Sequence, residues 1–127
     1  MNLLLDTQSF IWYVLGDSRL SRRLRSLIED PKNPYKISIA SLWELAIKDG
    51  TGKLRLGLSL PTLIQEYVLG TGIEVIPISI DHILKLRELP MYHRDPFDRI
   101  IISQGIVENL SVITTDPVFQ KYPIHLA

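Results

Sequence analysis

Two rhythms of apolar and polar positions run through this chain. The first is short and nearly unbroken. Leu3-Leu4-Leu5 closed by Asp6, Lys36-Ile37-Ser38-Ile39, Ile73-Glu74-Val75-Ile76 and Ser111-Val112-Ile113-Thr114 read as buried strands, with Ile124-His125-Leu126 as a terminal one. The second has helical spacing. Leu20, Leu24, Leu27 and Ile28 fall at i, i+4, i+7 and i+8, with Arg22, Arg23 and Arg25 on other faces. Ser18 is placed to cap that helix, and Pro31 and Pro34 to stop it. A helix is also predicted over residues 10–15, closed near Gly16. Another starts at Ser41-Leu42-Trp43-Glu44, which has the S-x-x-E spacing of a capping box, and ends at Gly50. Further helices are predicted over 61–69, opened by Pro61, over 81–89, and over 96–109, the longest, after Asp95-Pro96. Leu54, Leu56, Leu58 and Leu60 alternate with other residues as an extended arm, and Asp116-Pro117 begins a turn of helix.

Strands of this kind, alternating with helices, predict an α/β fold in which a parallel sheet of four or five strands is covered by helices on both faces. A length of 127 residues suits one domain spanning residues 1–127.

Composition narrows the chemistry. With no cysteine, disulfide scaffolds, zinc–thiolate sites and thiol nucleophiles are excluded. The start, Met-Asn-Leu-Leu-Leu-Asp, lacks the basic region and apolar stretch of a signal peptide, and no window approaches a membrane span. A cytoplasmic protein without a membrane partner is expected. The formal net charge is zero, yet it is unevenly spread. Residues 19–55 hold nine Lys/Arg against four acids, and residues 66–116 hold eight acids against four bases. A basic half and an acidic half suit an anionic partner and a cation.

The acids carry the sharper signal. In an open parallel sheet, ligands bind beyond the C-terminal ends of the strands. Asp6 follows the first strand, Glu44 lies in the helix after the second, Asp98 opens the long helix leading to the fourth, and Asp116 follows that strand. Each also suits a helix N-terminus, where an acid contributes about 0.5–2 kcal/mol. Gathered together, however, carboxylates 5 Å apart repel by about 3 kcal/mol per pair at an effective dielectric near 20. Such a group requires a cation, and oxygen ligands suit Mg²⁺ or Mn²⁺. Bound there, the ion would acidify a water and stabilise charge on phosphoryl oxygens.

With those four acids placed, the sequence resembles a PIN-domain ribonuclease, and more narrowly the VapC-type toxins of prokaryotic toxin–antitoxin modules. The matching segments are Leu-Leu-Leu-Asp6-Thr7, Ser41-Leu42-Trp43-Glu44-Leu45-Ala46-Ile47-Lys48, His93-Arg94-Asp95-Pro96-Phe97-Asp98-Arg99-Ile100-Ile101 and Thr114-Thr115-Asp116-Pro117-Val118-Phe119. The resemblance implies a three-layer α/β/α sandwich and Mg²⁺- or Mn²⁺-dependent endonucleolytic cleavage of RNA, leaving 5′-phosphate and 3′-hydroxyl ends. It also implies a homodimer and a cognate antitoxin. It carries Asp6, Glu44, Asp98 and Asp116 over as the acidic, metal-binding and catalytic centre. Asp95, Thr7 and Thr114 are candidates to orient those ligands. Arg22, Arg23, Arg25, Lys48, Lys53, Arg94 and Arg99 are candidate contacts to the RNA backbone.

Other readings are weaker. Gly50-Thr51-Gly52-Lys53 lacks the first glycine and the Ser/Thr of a phosphate loop. An aspartyl-phosphate hydrolase would need an acid at Gln8. His82, His93 and His125 have no zinc-site spacing, though His93-Arg94 could touch phosphate. Trp43 is expected to pack, and the cluster Trp12-Tyr13-Val14-Leu15 to join the core. A non-catalytic module of the same fold, binding RNA or protein, is the main alternative to an enzyme.

Overall fold

The structure is a computed structural model that describes residues 1–52 and 54–127. Five strands form one sheet in the order β3-β2-β1-β4-β5, every neighbouring pair parallel. They are β1 (Leu3–Leu5), β2 (Tyr35–Ser38), β3 (Glu74–Ile76), β4 (Ser111–Ile113) and β5 (His125–Leu126). The connections carry α1 (Thr7–Leu15), α2 (Arg22–Glu29), α3 (Ile39–Gly50), α4 (Leu60–Ile64) running into a π segment (Gln65–Leu69), α5 (Ile80–Glu88), α6 (Pro96–Val107) and a 3₁₀ helix (Pro117–Lys121).

The strand pleat sorts the core into two layers. Leu3, Leu5, Ile37 and Ile113 pack with Phe10, Ile11, Leu24, Ile28, Leu45 and Leu63 from α1 to α4. Leu4 and Val112 face the other way, against Ile101 and Ile102 of α6 together with Leu89, Phe119 and Tyr122. Both faces are therefore covered, and the three-layer α/β/α sandwich follows. Leu3, Leu4 and Leu5 are all fully buried. Burial on both sides is why their run is unbroken rather than alternating.

Several local boundaries differ from the sequence expectations, each for a hydrogen-bonding reason. Helix α1 begins at Thr7, because Asp6 Oδ1 accepts the Ser9 N–H at 2.9 Å and caps it. Ser18 lies in a turn organised by Asp17, whose Oδ1 accepts the Arg19 N–H, so Ser21 caps α2 instead. Helix α3 starts at Ile39 on a Ser38 cap, not at Ser41. Leu54, Leu56 and Leu58 pack against the first core layer as their alternation implies, but they pair with no strand among the described residues. Gly16 ends α1 at φ 65°, a left-handed conformation that costs glycine least.

Helix α6 lies close to β4. A Cβ at Gly105 would come within 2.9 Å of Val112 Cγ2. Glycine inside a helix costs roughly 1 kcal/mol relative to alanine, and this close approach is the reason for it. No helix of the described residues is long and apolar enough to cross a membrane.

Candidate metal centre

The strand order reverses around β1, whose neighbours β2 and β4 lead chain connections away in opposite directions. That switch point opens a crevice at the C-terminal ends of the strands. A cleft of about 510 Å³ occupies it, with Asp6, Glu44, Asp95, Asp98 and Asp116 in its wall. Acids far apart in sequence thus share one cavity.

Each reaches it by a different route. Asp6 leaves β1 and is 5% exposed. Its Oδ1 caps α1, and its Oδ2 accepts the Thr114 hydroxyl at 2.6 Å. Burial pushes its pKa up, the bonds from Thr114 and Ser9 pull it down, and the charge of Asp116 adds to the rise. Asp116 Oδ1 caps the 3₁₀ helix through Val118 N–H, at 2.9 Å. Asp95 caps α6, its Oδ1 accepting both Phe97 and Asp98 N–H. Asp98 stands in the first turn of that helix. Its pKa is raised to about 7 by burial, then by the charges of Asp95 and Asp6, partly offset by His93, with Glu44 adding to the rise.

The capping reading fails for Glu44. With α3 starting at Ile39, Glu44 lies beyond the first turn and caps nothing. Its side chain is buried, and Lys48 Nζ donates to Oε2 at 2.8 Å from one turn along the helix. Oε1 is buried with no hydrogen-bond partner among the described residues. A carboxylate oxygen left bare inside a protein is costly unless something positive meets it. The donors of Asp6, Glu44, Asp98 and Asp116 are hard oxygens, a set that fits a divalent cation of the Mg²⁺ type.

A family model described as PIN domain matches residues 3–124. The chain belongs to the PIN domain family. Among solved structures, this PIN domain superposes on a chain from the crystal structure of VapBC2 from Rickettsia felis bound to a DNA fragment from their promoter. The TM-score is 0.73 at 19% identity, over 100% of this chain and 98% of that one. At such an identity the likeness establishes the fold. No curated protein sequence matches the chain.

The remaining candidates separate on the structure. Thr114 does bond Asp6. Thr7 lines the cleft, and its hydroxyl donates to Ser41 Oγ at 2.8 Å, tying α1 to α3, with no hydrogen bond to an acid among the described residues. Lys48 lines the cleft. Arg99 is committed to the main chain. It is 8% exposed, and its guanidinium donates to the carbonyls of Leu86, Leu89 and Pro90. Arg25 is similarly occupied, donating to the carbonyls of Trp12 and Tyr13. Arg22, Arg23 and Arg94 are exposed but lie outside the cleft wall, and Lys53 lies outside the described residues.

Sequence reasoning passed over Arg19 and Arg55, which line the cleft together with Gln8 and Trp12. Arg19 stacks over the Trp12 ring at 5.2 Å and pairs with Asp17. The only signal for either arginine was membership of the basic stretch. Trp43 is not packed away as expected. It is 58% exposed on α3, with its ring edge against Phe97 at 4.9 Å.

Proposed function

We propose that this PIN domain is a Mg²⁺- or Mn²⁺-dependent endoribonuclease acting as the toxin of a toxin–antitoxin pair. The bare, buried Oε1 of Glu44 beside Asp6, Asp98 and Asp116 supports the reading most directly, because helix capping does not account for it. Asp6, Glu44, Asp98 and Asp116 would hold the cation. When bound, it would lower the pKa of water and stabilise negative charge on phosphoryl oxygens. Carboxylate oxygens left over from binding orient the attacking water and take its proton. The water oxygen forms the new bond to phosphorus and the P–O3′ bond breaks, giving a 5′-phosphate and a 3′-hydroxyl that takes up a proton. Lys48, Arg19 and Arg55 bind the flanking backbone phosphates in the same cleft.

The neighbour VapBC2 is, by its description, a two-part assembly bound to promoter DNA, which favours an antitoxin partner here as well. A homodimer is part of this reading. Helix α3 exposes Ile39, Trp43 and Ile47 at four-residue spacing, an apolar stripe suited to burial against protein.

Cleavage of defined RNAs with Mg²⁺ tests the enzyme. Asp6→Asn and Asp98→Asn should each abolish cutting. Wild-type rates in both variants would refute the assignment of the acids.

A further inference from the structure

His93 lies in the loop between α5 and α6, and 13% of its side chain is exposed. Its Nε2 is 2.8 Å from Asp116 Oδ2 and 3.0 Å from Asp98 Oδ2. The three groups offer atoms all within 4.8 Å of one another, so the trio could be taken for a nitrogen-and-oxygen metal site. The other ring nitrogen argues against this. Nδ1 accepts the Asp95 backbone N–H at 3.1 Å, which leaves the ring proton on Nε2. A nitrogen that carries a proton has no lone pair for a metal. It can only donate, and both of its neighbours are acceptors.

We infer that His93 is a positioning residue of the acidic centre. Its Nε2–H donates to Asp116 and lies 3.0 Å from Asp98 Oδ2, and so holds two carboxylates from separate elements as a pair for the cation, which His93 itself does not ligate. The inference rests on the metal centre proposed above and is independent of the RNA substrate.

The ring is held on several sides. Besides the Asp95 N–H on Nδ1, its edge meets Phe119, with centroids 5.7 Å apart and planes at 83°. Its backbone N–H donates to Tyr122 Oη at 2.8 Å, and that hydroxyl donates to Pro90 O at 2.6 Å. The buried Arg99 guanidinium donates to Pro90 O at 2.9 Å. Arg99 follows Asp98 directly on α6, so one helix turn both presents the acid and fastens the loop that orients it. A donor fixed in this way constrains carboxylates as the outer partners of metal ligands do, and losing such a partner typically costs about 10–100-fold in metal affinity.

Two measurements on the full chain without RNA test this. The first is calorimetric titration with Mg²⁺ of wild type, His93→Ala and His93→Gln. His93→Ala should bind about 10–100-fold more weakly. The His93→Gln amide can replace the Nε2–H, and it should recover most of the loss. The second is nitrogen-15 NMR of the wild-type imidazole, in which Nε2 should remain protonated before and after Mg²⁺ is added. Loss of that proton on adding Mg²⁺ would make His93 a ligand and overturn the inference. An unchanged affinity in His93→Ala, with wild type binding normally, overturns it alone. A wild type that binds no Mg²⁺ removes the metal centre and the inference with it. Should His93→Ala fail to fold, His93→Gln and the spectrum decide. Binding as predicted without RNA cleavage would leave the inference standing and defeat the nuclease reading.

Discussion

At the scale of single residues, the acids of the cleft do two jobs at once. Asp6, Asp95 and Asp116 each cap a helix and also line the cavity, because helices that start at the C-terminal sheet edge point their free N–H groups toward the same crevice. Asp98 carries the cost of burial and of this crowding. An aspartate ordinarily titrates near 3.9, and in the fold Asp98 titrates at about 7. Between those values the folded chain binds more protons than the unfolded one, so its stability from this group falls as pH rises from about 4 through 7. Metal-free wild type should therefore melt lower at pH 8 than at pH 5.5 on account of Asp98, and Asp98→Asn should narrow that difference. Mg²⁺ should raise the melting temperature more at pH 8 than at pH 5.5, since protons compete for the same oxygens. Thermal scans at both pH values check this; an equal Mg²⁺ response at the two would contradict it.

At the scale of elements, α6 carries both chemistry and architecture. Its N-terminus supplies Asp95 and Asp98, its first turns supply Arg99, and its C-terminal half seats Gly105 on β4. Gly105→Ala gains helix propensity but drives a methyl into Val112, which is fully buried. Overpacking of that kind costs about 1–3 kcal/mol, so the variant should be less stable in urea melts despite the better helix former. Tyr122→Phe tests the clamp on the loop before α6. It leaves the His93 N–H without a partner and takes one of two donors from the Pro90 carbonyl, and should cost about 1–3 kcal/mol. Strands and helices were legible in the sequence at nearly every place they occur, because a parallel sheet buried on both faces imposes short apolar runs. Helix starts were less legible. Ser18, Ser21, Ser38 and Ser41 are chemically alike, and which one caps depends on what its neighbours bond, as Asp17 and Thr7 show.

At the scale of the whole molecule, residues of the basic stretch and of the acidic stretch share one cleft, with Arg19 and Arg55 in the same wall as Asp98. If RNA lies along it, each phosphate contact contributes about 0.7 to the slope of log affinity against log salt for a single strand. Arg19→Ala and Arg55→Ala should each flatten that slope by about this amount. Arg99→Ala should instead lower folding stability, since its guanidinium is committed to main-chain carbonyls. Fluorescence anisotropy across a salt series separates the two classes of arginine. For the apolar stripe on α3, sedimentation of Trp43→Glu beside wild type should show a shift from dimer to monomer.

By itself the order of apolar runs and helical repeats determined the α/β class, the parallel sheet and the edge at which Asp6, Glu44, Asp98 and Asp116 would meet. Those features follow from backbone periodicity and from topology, which are local and leave marks in the sequence. Only the tertiary structure decided that Glu44 keeps one bare buried oxygen rather than capping a helix, and that Arg99 is committed to main-chain carbonyls. The same holds for Arg19 and Arg55 facing the cleft and for His93 standing between two acids. Each of those depends on which side chain from a distant segment arrives alongside, and residue type does not encode that.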